Sequence, residues 1–173
     1  MPELIEPTVA LRDSWRESAR EWGDESQDGA GLWEAEDLST VEGFAAWTKR
    51  LHELSDDSIG VTEDLVPATF WWIVEGGTYL GAITLRHTLN AKLLEGGGHI
   101  GYGIRPSARR RGLASWALGE VLERARARGL DRVLLTCDAG NEASAKTIER
   151  HGGVLEDIRD TWLGVARRYW ITL

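Results

Sequence analysis

The sequence predicts an α+β fold with α/β-type layers: a central mixed sheet of about six to seven strands flanked by helices. Three observations predict it. The segments run strand, two helices, three strands, helix, strand, helix, two strands, and helices alternating with strands in the second half require layers around a sheet. Apolar residues recur at helical spacing in the helical segments and in alternation or short runs in the strands. With 173 residues, 42% hydrophobic and 28% charged, the chain fits one domain with a substantial core.

Leu4-Ile5-Glu6 reads as a short first strand. Thr8 or Asp13 opens a helix to about Trp22, with Val9, Leu11, Trp15 and Ala19 as its apolar positions. Residues 23–31 form a loop rich in Gly, Asp, Glu and Ser. Ser39 caps a second helix to Leu54, whose apolar face is Val41, Phe44, Ala45, Trp47, Leu51 and Leu54. After the acidic link 55–64 come strands over 68–75 and 79–88, joined at Gly76-Gly77. Trp71 and Trp72 alternate across the first of these, so they face opposite sides. Residues 90–97 read as a loop and 98–104 as a glycine-rich strand. The helix over 112–128 presents Leu113, Trp116, Ala117, Val121 and Ala125, and Gly129 stops it. A buried-type strand over 132–137 precedes a helix capped by Asn141, which ends at Gly152-Gly153. Strands over 154–158 and 167–173 close the chain.

Composition narrows the function. The single cysteine, Cys137, excludes an intrachain disulfide framework and a cysteine-based zinc cluster, and no residue pattern points to a metal. No apolar run approaches a membrane span, and the N-terminus lacks the features of a secretion signal, so no membrane association and a cytoplasmic location are expected. The net charge of −8 is unevenly spread. Residues 1–90 hold 6 basic and 18 acidic side chains, and residues 91–173 hold 14 basic and 10 acidic. A solvated surface produces such a split by chance; a basic half for an anionic cofactor and an acidic half for a cationic acceptor explain it equally well. The acidic total argues against nucleic-acid partners.

The chemistry concentrates in Ile104-Arg105-Pro106-Ser107-Ala108-Arg109-Arg110-Arg111-Gly112-Leu113-Ala114, a basic loop between a strand and a long amphipathic helix. Helix N-termini carry unpaired N–H groups and the positive end of the dipole, so they attract phosphate. Neither a Walker-type Gly-Lys-Ser/Thr nor a dinucleotide glycine pattern is present. The order Ile-x-Pro-x-x-Arg-x-x-Gly-x-Ala resembles the acetyl-CoA pyrophosphate loop of the GNAT acetyltransferase superfamily, and the order of elements is similar from end to end. The resemblance implies one GNAT domain over 1–173, with a helical acceptor-side region over 1–66 and an acetyl-CoA-binding core over 67–173. It implies acetyl-CoA as cosubstrate, held by Ile104, Arg109, Arg110, Arg111, Gly112, Leu113, Ala114 and Ser115. Asn141, otherwise a plain helix cap, and Ser144 would meet the pantetheine arm.

Many relatives carry a tyrosine that protonates the departing thiolate; here that position is Ile148. A thiol of pKa about 8.5 is a fair leaving group, and Ser144 or a water could donate instead. An attacking amine has to lose a proton, and His99 is the first candidate base. Strand alternation places His99, Gly101 and Gly103 on one face and Ile100, Tyr102 and Ile104 on the other, so Tyr102 is a substrate contact or proton donor, with Asp138 and Glu156 as further candidates. The loop at 22–33 resembles the family's acceptor border; Asp24, Glu25 and Trp33 would recognise an ammonium there by charge and cation–π contact. These residues imply acetyl transfer to a primary amine of a small cationic molecule. A protein or peptide amine, or an acyl-CoA sensor without catalysis, is the alternative. The family analogy also permits a homodimer.

Overall fold

In the computed structural model, which describes residues 1–173, seven strands form two antiparallel sheets. The first contains β1 (Glu3–Ile5), β2 (Ala68–Glu75), β3 (Thr78–Arg86) and β4 (Ile100–Ile104), in that spatial order. The second is built from β5 (Arg132–Asp138), β6 (Val154–Thr161) and β7 (Gly164–Thr172), with β7 in the middle. All hydrogen-bonded strand pairs are antiparallel. One bridge joins the sheets, where the His99 N–H donates to the Leu134 carbonyl at 2.7 Å. Beyond it β4 and β5 belong to separate sheets.

Five helices cover them: α1 (Arg12–Trp22), α2 (Val41–Glu53), α3 (Ala91–Glu95), α4 (Leu113–Ala127) and α5 (Glu142–Arg150). Trp15, Phe44, Trp47 and Leu51 from α1 and α2 pack on Phe70, Trp72 and Tyr79 of the first sheet. Neighbouring rings in this layer stand 5.2–6.1 Å apart, in tilted and edge-on contacts. Such aromatic pairs add about 0.5–1.5 kcal/mol beyond area burial. The opposite layer joins Leu118, Val121 and Ile148 of α4 and α5 to Ile83, Leu85, Ile100, Leu135 and Tyr169. Trp72 enters the first layer and Trp71 packs against the second, as strand alternation requires.

Several element ends differ from the sequence reading. Thr40, not Ser39, caps α2 by accepting the Gly43 N–H at 2.9 Å, because the Ser39 hydroxyl is held by Asp37 at 2.6 Å. Val41 consequently faces solvent. Residues 91–95, read as loop, form α3 with Asn90 as its cap. The hairpin of β6 and β7 extends to a turn at Trp162 and Leu163. Nearly every residue of β6 is exposed, so it has no buried face and no readable alternation.

The ladder fixes what β4 offers to the opening between the sheets. The Arg105 N–H donates to the Leu80 carbonyl and the Arg86 N–H to the His99 carbonyl, each at 2.7 Å. Backbone groups alternate along an antiparallel strand, so those of Ile100, Tyr102 and Ile104 point away from β3, into the gap.

Candidate active site

Two cavities, of about 840 and 920 Å³, meet at that gap. The larger lies at the start of α4. Arg110 and Gly112 take left-handed backbone there, with φ of 64° and 76°. Arg110 is the one non-glycine residue in the chain to do so, at roughly 1–2 kcal/mol of strain. No side chain caps α4, and its first backbone bond runs from the Trp116 N–H to the Gly112 carbonyl at 3.0 Å. The N–H groups of residues 110–115 therefore donate to nothing in the protein. Consecutive free donors at a helix N-terminus form a ready cradle for phosphate oxygens, so the site fits the pyrophosphate of a coenzyme A thioester.

The three arginines diverge. Arg110 lines this cavity without an ion pair, joined by Lys146 and Arg150 of α5, which the sequence did not single out. Arg111 lies outside it and pairs with Glu75 at 2.5 Å. Arg109 lines the cavity too, against its opposite wall: its Nη2 pairs with Glu25 at 2.9 Å, its Nε donates to the Ile104 carbonyl, and its guanidinium covers the Trp22 ring. It fastens the loop after α1 to the end of β4. Ile104, Leu113, Ala114 and Ser115 all line the cavity, with the Ser115 hydroxyl 3.0 Å from His151 Nε2.

Six residues belong to both cavities: Glu25, Ser26, Asp28, Tyr102, Asn141 and Ser144. At this junction Tyr102 Oη and Ser144 Oγ are 2.8 Å apart. Ser144 is held in the first turn of α5, where its N–H donates to the Asn141 side chain at 3.1 Å. Burial pushes Tyr102 up to about 12, with the Ser144 hydrogen bond opposing, so the phenol stays protonated near neutrality. Ile148, one turn along α5, is completely buried. Cys137 lines the second cavity, and burial raises its thiol, which keeps it protonated.

The structure places His99 elsewhere. It is 7% exposed and lines neither cavity; its Nδ1 accepts the Leu134 N–H at 2.9 Å. Burial, then the charges of Arg86 and Arg132, depress it to about 4. A ring bonded in this way staples the two sheets together and is a poor base. Asp24 also lines neither cavity. Glu156 is committed to Arg168, and Asp138 Oδ1 accepts the Gly140 N–H at 2.8 Å on the wall of the second cavity. Trp33, 57% exposed, stands at the rim of that cavity, and Trp162 forms another part of its wall.

Asp28 is the carboxylate that the sequence reading missed within a loop it had marked. It lies at the junction with its pKa raised by burial, and Ser26 Oγ donates to it at 3.3 Å. Its loop rests directly on β4: a Cβ on Gly29 would stand 2.4 Å from the Gly101 carbonyl oxygen. One on Gly103 would stand 2.9 Å from the Asp28 carbonyl. The glycines of β4 thus serve the approach of this loop. The signal was the matching of Asp28 and Gly29 with Gly101 and Gly103, visible only once the strand and loop are placed together.

Comparison with known proteins agrees with this geometry. The acetyltransferase (GNAT) family model matches residues 10–153. No curated protein sequence matches the chain. Among solved structures, a ribosomal-protein-S5-alanine acetyltransferase from Vibrio fischeri superposes with a TM-score of 0.70 at 17% identity, covering 99% of this chain and 91% of that one. RimL, a ribosomal L7/L12 α-N-protein acetyltransferase solved with coenzyme A, gives 0.69 at 16%, covering 99% and 94%. The microcin C7 self-immunity acetyltransferase MccE, solved with acetyl-CoA and AMP, gives 0.64 at 14%, covering 99% and 92%. Matched by the family model over most of its length, the chain belongs to the GNAT acetyltransferase family and is an acyltransferase.

Proposed function

We propose that the chain transfers an acetyl group from acetyl-CoA to the primary amine of a small molecule, by direct attack within a ternary complex. The observation that carries this reading is the junction itself: a phosphate cradle on one side, a second cavity on the other, and a hydrogen-bonded Tyr102–Ser144 pair between them. The thioester supplies the activated acetyl group. Residues 110–115 hold its pyrophosphate through backbone N–H groups, with Arg110, Lys146 and Arg150 adding charge. The N–H groups that β4 turns toward the gap polarise the thioester carbonyl.

The amine arrives as an ammonium with a pKa near 10 and has to lose its proton. Asp28 faces it from the loop and takes that proton, directly or through water; burial makes it a stronger base than an exposed aspartate. Tyr102 donates to the departing sulfur, and Ser144 orients it, in place of the tyrosine absent at Ile148. Residues 1–66 supply one wall of the acceptor cavity, with Glu25 and Trp33 contributing. A volume of about 840 Å³ suits a small acceptor.

A protein N-terminus is the second reading, because two of the similar structures are described as acting on ribosomal proteins. Thiol release from acetyl-CoA, measured over parallel panels of small amines and N-terminal peptides, separates the two. Turnover confined to peptides replaces the first reading with the second. Calorimetric binding of acetyl-CoA without any turnover would favour a sensor, and absence of binding would remove both.

A further inference from the structure

We infer that the acceptor carries a carboxylate beside its amine and that Arg86 binds it; the inference rests on the acetyl-transfer reading of the junction. Arg86 ends β3 and lines the acceptor cavity. Its Nη1 donates to the carbonyls of Gly97 at 3.2 Å and Gly98 at 3.0 Å, which fixes the plane of the guanidinium. Nε and Nη2 have no partner in the protein, yet neither is sealed from solvent. The group thus keeps a pair of donors on the cavity wall, close to Gly101.

The surroundings make this unusual. The cavity has one other cation, Lys92, and that is occupied by Asp64 at 3.3 Å and lies over the Trp162 ring. Arg86 makes no ion pair, although Asp28 is near enough for the two charges to influence each other. Burial lowers Arg86 to about 10, so the cation sits where it is poorly solvated. The most deeply buried arginine shows the contrast: Arg168 is gripped by both Glu156 and Asp157 and by the Leu94 carbonyl. A fixed guanidinium with free forked donors in a ligand cavity matches a carboxylate.

The arrangement of charge also sets the acceptor's shape. Asp28 and Tyr102 mark the end at which the amine reacts, and Arg86 lies on the same stretch of wall as Gly101 and Gly29. The carboxylate therefore belongs on the same small scaffold as the amine. A free amino acid has this pattern, and so does a peptide N-terminus with an acidic side chain at its first or second residue.

The test compares matched ligands: amino acids against their carboxamides, and short peptides with Asp or Glu against the same peptides with Asn or Gln. Binding is read by calorimetry with coenzyme A present, which requires no turnover, and kcat and KM are read alongside it. Wild type should favour the acids at least tenfold in affinity, and Arg86→Gln should bring each acid to the level of its amide, mainly through KM. Preference for free amino acids or for peptides identifies the source. Equal binding of acids and amides by wild type overturns the inference, as does Arg86→Gln weakening both alike. Where Arg86→Gln fails to fold, Arg86→Lys keeps the charge, loses the fork, and should narrow the preference. Acid-selective binding without acetylation would sustain the Arg86 site and reject the transfer reading.

Discussion

Replacing His99 with glutamine tests whether this histidine is a structural staple or a catalytic base. The ring is neutral in the folded protein because Nδ1 accepts the Leu134 N–H and burial disfavours the charged form. Its pKa falls from 6.5 to about 4 on folding, which corresponds to about 3 kcal/mol. The sign follows from proton counts. Between pH 4 and 6.5 the unfolded chain binds the proton and the folded chain does not, so this stabilisation is complete above 6.5 and is lost as pH falls toward 4. Glutamine keeps an acceptor for the Leu134 N–H but does not titrate. Its packing penalty, about 1–3 kcal/mol, applies at every pH and cancels in a difference of differences. Urea unfolding at pH 7.5 and 4.5 should show wild type losing about 2–3 kcal/mol more than His99→Gln between the two conditions. Equal losses would mean that the ring is not held neutral. An acidic limb of the kcat profile that vanished in the variant would restore His99 as base.

Three further outcomes follow from the site. Tyr102→Phe and Ser144→Ala should each lower kcat about a hundredfold, with the double variant little worse than either alone, because the two act as one hydrogen-bonded unit; additive losses in thiol-release assays would separate them. Arg110→Ala and Lys146→Ala should each weaken acetyl-CoA binding about tenfold by calorimetry, whereas Arg111→Ala, whose partner is Glu75, should leave it within twofold. Gly29→Ala should displace the acceptor loop, since its Cβ meets the Gly101 carbonyl at 2.4 Å and its φ is +78°. Acetyl-CoA affinity should survive in that variant while turnover collapses, and normal turnover would show that the loop does not need this contact.

What the sequence revealed depended on how local the signal was. The cradle over 110–115 was legible because strand, glycine and helix are contiguous there, and the arrangement depends on backbone alone. That Arg109 and Arg110 face the cavity and Arg111 does not was not legible, because partners such as Glu75 and Glu25 are distant in sequence. Lys146 and Arg150 escaped notice because a helical surface reads as solvated until its neighbour is known. Tyr102 and Ser144 were both singled out, but their pairing needed α5 to be set beside β4. His99 had the right reference chemistry, and only tertiary burial changed it. At the fold level, helical periodicity located α1, α2, α4 and α5, whereas α3, with five residues, was too short to display a period.

The free N–H groups over 110–115 have a metabolic consequence. On the acetyl-transfer reading they would recognise a part of the molecule that donor and spent product have in common. If most of the binding free energy comes from this cradle, discharged coenzyme A competes with acetyl-CoA on nearly equal terms, because the two differ only at the Tyr102–Ser144 end. The velocity would then follow the ratio of acetylated to free coenzyme more than the concentration of either, and acetylation would slow whenever the cell's supply of acetyl groups ran down.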